Sequence, residues 1–76
     1  MPRFFFHLRG EGQNFEDAIG SEIETVQHAE MAALRAASYM LEEAKKPAQL
    51  ENRYFEITDQ LGACHCVIPL GSIILA

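Results

Sequence analysis

The chain has 76 residues, of which 49% are hydrophobic and 22% are charged, and its formal net charge at pH 7 is −5. This composition is typical of one small folded domain over residues 1–76 and excludes a disordered chain. The acidic balance argues against nucleic acid as a partner, because cations are needed to replace the counterions of the phosphates. A core of this size supplies only about 3–5 kcal/mol of stability, so a partner subunit is an expected source of more.

No pattern in the sequence predicts a transmembrane helix or a secretory signal. No segment reaches the roughly 18 consecutive apolar residues that a transmembrane helix needs. The apolar run near the N-terminus is only Phe4 to Phe6, which is too short for a secretory signal. We therefore expect a cytoplasmic protein with no membrane partner, in which the two cysteines are reduced thiols.

Aromatic residues dominate residues 3–9, which predicts a first β-strand. Side chains alternate between the two faces of a strand, and one face here is wholly apolar. That face, which we expect to meet the core, carries Phe4, Phe6 and Leu8. The outer face carries Arg3, Phe5, His7 and Arg9.

Glycine and asparagine in residues 10–14 predict a hairpin loop after this strand. A short second strand is expected over residues 14–17, with Phe15 pointing inward. Gly20 and Ser21 are predicted to end that strand.

A long helix is predicted next, and two residues compete for its N-cap. Ser21 has capping-box spacing to Glu24, whereas Thr25 directly precedes the periodic apolar residues, and we favour Thr25. Apolar residues then recur at intervals of three and four, which is typical of a helix packed on one side. The stripe comprises Val26, Ala29, Ala33, Ala37, Met40 and Ala44. Pro47 is expected to stop the helix after Lys45 and Lys46.

The C-terminal half reads as a second hairpin. Tyr54 to Thr58 is a predicted strand, Asp59 to Gly62 has the composition of a type I turn, and residues 63–68 form the last strand. If a glycine bulge is present, His65 shares a face with Phe55 and Ile57. If it is absent, that face receives Cys64, Cys66 and Ile68, and the hydrophobic pattern favours this second register.

These elements predict an α+β fold in the order β-β-α-β-β, a four-stranded antiparallel sheet with one long helix packed on one face. The chain also resembles a family of small bacterial proteins that carry a domain of unknown function. The resemblance is carried by Pro2 to His7, by the alanine-rich helix, and by the hairpin from Phe55 through Asp59 and Gly62 to Pro69. It implies neither an activity nor catalytic residues. Cys64, His65 and Cys66 depart from the mostly aliphatic strand of that family, which argues against a shared metal site.

Cys64, His65 and Cys66 form the only cluster of cysteine and histidine in the sequence. A structural zinc site needs four ligands, usually as two separated pairs, and no second pair is present. Nucleophilic catalysis needs a base beside the thiol, but His65 points to the opposite face of its strand. His7 could reach a thiol only if the first and last strands are neighbours. We therefore expect no metal, no cofactor and no enzymatic activity.

The outer sheet face is the stronger candidate for a binding surface. Exposed aromatic rings between cations can stack on bases or bind an anionic partner, although such a face is often simply solvated. The candidate residues are Arg3, Phe5, His7, Arg9 and Tyr54, with Glu56 beside them. A second surface is the apolar tail Ile73, Ile74 and Leu75.

Two hypotheses for function follow from these surfaces. The first is a non-enzymatic interaction or structural domain that forms a homodimer, with an unidentified protein partner as the variant of that hypothesis. The alternative is a small ligand-binding or regulatory module that uses the outer sheet face.

Overall fold

The structure is a computed structural model in which residues 1–10 and 14–74 are described. The strands are β1 (Arg3–Arg9), β2 (Ser21–Glu22), β3 (Tyr54–Thr58) and β4 (Cys64–Pro69), and the helices are α1 (Val26–Glu43) and α2 (Leu70–Ile74). Neighbouring strands are antiparallel, and their order across the sheet is β2-β1-β3-β4. The predicted α+β fold, with α1 on one face of a four-stranded sheet, is confirmed.

The second strand is not where the sequence pattern predicts it. Residues 14–17 form only an isolated bridge, made by Phe15 with β1, and β2 is instead Ser21–Glu22, where a break was expected. Phe15 lies opposite Leu8 and so shares its face of the sheet, but it is 65% exposed and does not join the core. The physical reason is that the Asp17 carboxylate accepts the Phe6 N–H at 3.1 Å and interrupts the backbone ladder at this point.

Helix α1 begins at the favoured N-cap. The Thr25 backbone is extended, and its Oγ1 accepts the backbone N–H of His28 at 3.1 Å, which satisfies one of the free donors of the first turn. The helix ends at Glu43, because Ala44 takes an extended conformation. Lys45 and Lys46 therefore follow the helix rather than complete its last turn, and the stop precedes the predicted one.

Alanines make the contact between α1 and the sheet. Ala29, Ala33 and Ala37 are buried at the contact with the sheet and Val26 and Met40 pack against them, so the predicted stripe is confirmed except for Ala44, which lies beyond the helix. Small side chains let the helix approach the sheet closely, but each contributes little buried apolar area. The larger buried side chains come from the sheet and from α2, and they are Phe4, Phe55, Ile57, Ile68 and Leu70.

The β3–β4 hairpin follows the favoured register only in part, because Cys66 and Ile68 face the core whereas Cys64 pairs with Thr58 on the outer face and is exposed. Phe55 pairs with Ile68 and Ile57 pairs with Cys66, so these side chains share a face. Between Ile57 and Thr58 the register shifts, so a bulge is present as well. The predicted place of Cys64 on the core face is therefore wrong, and the ring of His65, the extra residue of the bulge, lies edge-on to the buried Phe4 with centroids 5.8 Å apart. His65 is exposed.

The C-terminal segment folds back as α2. Leu70 is fully buried, and Ile73 packs against the core. Ser72 lies inside α2, where its hydroxyl donates to the Pro69 carbonyl at 2.8 Å. The predicted surface tail is therefore described only in part, because Leu75 and the side chain of Ile74 lie outside the described residues.

Candidate functional site

The outer face of the sheet brings together the residues that the sequence pattern assigns to it. Cross-strand pairs join Phe5 with Thr58, His7 with Glu56, and Arg9 with Tyr54. Side chains of directly opposed residues lie on the same face, so β1 and β3 present one mixed aromatic and charged surface. The strand register therefore places these residues on one face of the sheet, as the sequence pattern predicts.

His7 is the buried centre of this face. The residue is only 8% exposed, and its Nε2 lies 3.0 Å from Oγ1 of Thr58. The backbone N–H of Asp17 points at Nδ1 from 3.1 Å. A backbone N–H can only donate, so Nδ1 accepts, and the ring proton is on Nε2 and is donated to Thr58.

Glu16 also approaches His7, with Oε2 at 3.2 Å from Nδ1. In the neutral ring this contact carries no hydrogen bond, because Nδ1 has no proton and already accepts from Asp17. The arrangement of Thr58, His7 and Glu16 superficially resembles a nucleophile, a base and an acid. The Thr58 hydroxyl belongs to a buried residue, and its contact with His7 joins β1 to β3.

Arg9 is held between two carboxylates. It forms ion pairs with Glu16 and with Glu56, the latter at 3.2 Å from Nη2. The hydrogen bond to Glu16 is the largest cause that raises the pKa of Arg9, and the same contact lowers the pKa of Glu16. Both partners are near the surface, so these pairs add little stability. Their consequence is that the guanidinium is already occupied and offers few free donors to an anionic ligand.

Asp17 anchors the loop that borders this face. Its Oδ2 accepts from Phe6, and its Oδ1 accepts from the N–H groups of Ile19 at 3.1 Å and Gly20 at 2.9 Å. Burial alone would raise the pKa of this carboxyl, but the three backbone donors outweigh burial and lower it. The charged carboxylate thus takes the place of the backbone acceptor that a longer second strand would offer to β1.

The aromatic ring of Phe5 is not an open stacking platform. It lies parallel to the His7 ring, with centroids 6.3 Å apart and planes inclined by 3°. Gly20 approaches it from the loop with a φ of +74°, and a Cβ at this position would lie 2.8 Å from the ring. Arg3 on the same strand donates to the Ile19 carbonyl at 3.1 Å. The loop after β1 therefore covers part of the surface that the sequence left open to a ligand.

In the cysteine and histidine cluster, the histidine is paired with a carboxylate. His65 Nε2 lies 2.7 Å from Oδ2 of Asp59, and this contact is the largest cause that lowers the pKa of Asp59. Cys64 is exposed, whereas burial raises the pKa of the Cys66 thiol. In the described ranges, no group of three or more His, Cys, Asp and Glu side chains could hold a metal ion.

Two aspartates have similar roles, of which the sequence pattern predicted only the turn that begins at Asp59 and did not single out Asp17. Asp17 and Asp59 each accept the N–H two residues ahead and each stand three residues before a glycine with positive φ. The signal was present as two Asp-x-x-Gly segments, at residues 17–20 and 59–62. Short polar side chains that bind nearby backbone donors are typical of such turns.

Comparisons with known proteins give one match. A family model described as a domain of unknown function (DUF6894) matches residues 3–71. No curated protein and no solved structure matches the chain. Over the part of the chain that the structure describes, no helix has the length and apolar character to cross a membrane. Because the family model covers nearly all of the sequence, the chain belongs to the DUF6894 family.

Proposed function

We propose that this protein is a non-enzymatic interaction domain that self-associates as a homodimer in the cytoplasm. The observation that carries the proposal is the distribution of charge along the chain. No Asp, Glu, Lys or Arg follows Asp59 in the sequence. Apolar side chains of that uncharged segment nevertheless remain at the surface, with Leu61 93% exposed and Val67 49% exposed. Such a surface is better suited to a protein contact than to solvent.

The size of the domain gives a reason for the contact. Ala29, Ala33 and Ala37 form most of the helix side of the core, and alanine buries little apolar area. Conformational entropy offsets most of the stability that such a core supplies. Burial between two copies adds apolar area without lengthening the chain, and a two-fold contact needs only one self-complementary patch.

The alternative, a ligand-binding or regulatory module that uses the outer sheet face, has weaker support. An anionic ligand needs free cations, but Arg9 is paired with Glu16 and Glu56. His7 already accepts one hydrogen bond and is within hydrogen-bonding distance of Thr58. The polar side chains that the sequence suggested as a ligand site are therefore already paired within the protein.

Sedimentation velocity on the whole chain tests the proposal. We expect a dimer from low to high micromolar concentration, with a dissociation constant that changes little between low and high salt, because the contact is uncharged. Two variants are measured beside the wild type. Phe5→Glu alters the outer face and a chain cut after Ser72 removes the tail, so each variant tests one of the two contact surfaces that the sequence suggested. A wild-type chain that stays monomeric to high micromolar concentration would contradict the proposal.

A further inference from the structure

We infer that His7 is a pH-dependent switch, which holds residues 15–17 against β1 while its ring is neutral and loosens them when the ring takes up a proton from water. The switch lies within one copy of the chain and is separate from the proposed self-association. Its centre is Nδ1 of the ring, because the two groups that face this atom require opposite protonation states of it.

Nδ1 of His7 cannot satisfy both of its neighbours at once. The backbone N–H of Asp17 lies 3.1 Å away and requires an acceptor, whereas Oε2 of Glu16 lies 3.2 Å away and requires a donor. A ring nitrogen carries either a lone pair or a proton, so it serves one of the two. In the neutral ring Nδ1 accepts from Asp17 and faces the Glu16 oxygen with no proton between them. Protonation therefore exchanges the first partner for the second.

The other ring nitrogen keeps its partner in both states. Nε2 donates to Oγ1 of Thr58 at 3.0 Å in the neutral ring, and a protonated imidazole donates from both nitrogens. The ring also lies parallel to that of Phe5 on the same strand. The ring therefore keeps its place on β1 and β3, and the change falls on the loop side of the ring.

The charged groups around the ring are mostly carboxylates. The titratable groups that face it are Glu16 and Asp17 from the loop, Arg9 from β1, Glu56 from β3, and Cys64 of β4 beyond Thr58. Burial of the ring disfavours a positive charge on it, whereas the carboxylates favour that charge. Arg9 is the opposing cation, but it is itself paired with Glu16 and Glu56.

The two loop carboxyls stay ionised while a histidine titrates. The hydrogen bond from Arg9 lowers the pKa of Glu16, and the pKa of Asp17 is lowered by its backbone donors despite its burial. Both groups are therefore charged at about pH 6.5, where a histidine ordinarily titrates. The exchange at Nδ1 is thus separable from the protonation of the carboxyls, which takes place in more acidic solution.

The loop segment that loses its acceptor is held lightly. Phe15 and Leu8 exchange two hydrogen bonds in an isolated bridge, and Phe15 is 65% exposed, so little apolar burial fixes the segment. Beyond it, the Asp17 carboxylate remains fixed by three backbone N–H groups. The peptide that joins Glu16 to Asp17 lies between these two attachments. When His7 is protonated, this peptide turns its N–H toward water, and the Glu16 carboxylate accepts the new ring N–H.

Nuclear magnetic resonance on the wild-type chain follows both ends of the exchange in one pH titration. Ring nitrogen chemical shifts report which nitrogen of His7 carries a proton, and the backbone amide shift reports the partner of the Asp17 N–H. We expect Nδ1 to be unprotonated at neutral pH, and the Asp17 amide to shift with the same midpoint as the ring. A ring that takes up a proton without movement of the Asp17 amide overturns the inference. A ring that stays neutral until the chain unfolds, or an Nδ1 that already carries the proton at neutral pH, also overturns it.

Glu16→Gln removes the negative charge that receives the ring proton. We expect the midpoint of the His7 titration to fall by about half a pH unit or more. Glu22→Gln is the matched control, because it removes an exposed carboxylate whose partner is Arg3, and it should move the midpoint less. Equal shifts in the two variants would show that Glu16 is not the alternative partner and would overturn the inference.

His7→Asn removes the titrating group itself. The Asp17 amide should then no longer move near the pH at which the wild-type ring titrates, and an unchanged movement contradicts the switch. If this buried substitution prevents folding, the wild-type titration and the exposed Glu16→Gln variant decide.

Discussion

The imidazole of His7 and the hydroxyl of Thr58 join β1 to β3 through a buried side-chain contact of 3.0 Å between Nε2 and Oγ1. The two residues are 51 positions apart in the sequence, and both lie on the sheet face opposite α1. Because Nδ1 accepts from Asp17, Nε2 carries the proton and donates it to Thr58. The outer face of the sheet is thus a second, polar layer of packing as well as a surface.

Replacing Thr58 by valine tests this contact. The variant keeps the shape of the side chain but leaves the Nε2–H of His7 buried without its acceptor. We expect the free energy of unfolding to fall by about 1–3 kcal/mol, measured by urea denaturation. Thr58→Ser retains the hydroxyl and is the matched control, with a smaller loss. A valine variant as stable as the serine variant would show that the hydrogen bond is unimportant.

The hydrogen bonds accepted by Asp17 lead us to expect that the stability of the folded protein falls at acidic pH. The pKa of Asp17 is lowered in the folded protein from its ordinary value of 3.8. Its stabilisation is therefore complete above that ordinary value and is lost as the pH falls through the lower folded pKa. Asp17→Asn should lower stability at neutral pH and reduce the slope of stability against pH below about 4.

Urea melts at a series of pH values measure this effect. Asp59 has a pKa lowered in the same direction, so Asp17→Asn removes only part of the acid dependence. Glu43→Gln, which removes one exposed carboxyl at the end of α1, is the control, and Asp17→Asn should change the profile more than this control does. The prediction fails if both variants have the same profile as the wild type.

Substituting a buried and an exposed phenylalanine compares the stability lost in the core with that lost at the surface. Phe55 is buried under α1, whereas Phe15 is exposed. Phe55→Ala should cost about 3–5 kcal/mol, enough to unfold much of so small a domain. Phe15→Ala should stay within about 0.5 kcal/mol of the wild type. Phe6→Ala should fall between them, because Phe6 is only partly buried. Equal losses for Phe55 and Phe15 in a thermal or urea melt would contradict the packing described.

The two thiols should differ in reactivity. Burial raises the pKa of Cys66, so less thiolate is present near neutral pH, whereas Cys64 is exposed. Iodoacetamide should therefore alkylate Cys64 well before Cys66, as followed by mass spectrometry of the peptides. Cys64→Ser and Cys66→Ser should both fold, and the purified chain should hold no stoichiometric zinc. One equivalent of tightly bound metal, with unfolding by a chelator, would revive the zinc hypothesis.

The alternation of β1, the alanine stripe of α1 and the turn from Asp59 to Gly62 could all be predicted from the sequence. In each case the signal is local, because periodicity, capping and turn residues act within a few positions. The second strand could not be predicted, since a carboxylate of Asp17 takes the place of a backbone partner, and hydrophobic alternation contains no sign of that substitution. Phe15 shares the face of Leu8, as its pattern predicts, but remains exposed because only one bridge holds this segment to β1.

The amino-acid sequence by itself determined the family, the α+β class, the helix start at Thr25 and the two faces of β1. Only the tertiary structure decided the strand order, which places β4 at an edge and β1 beside β3. It also decided that the cations of the outer face are paired with carboxylates from distant positions, as Arg9 is with Glu56. The physical reason is that side-chain periodicity depends on neighbouring residues, whereas register, edge exposure and charge pairing depend on which strands meet, and that is set by packing across the whole domain.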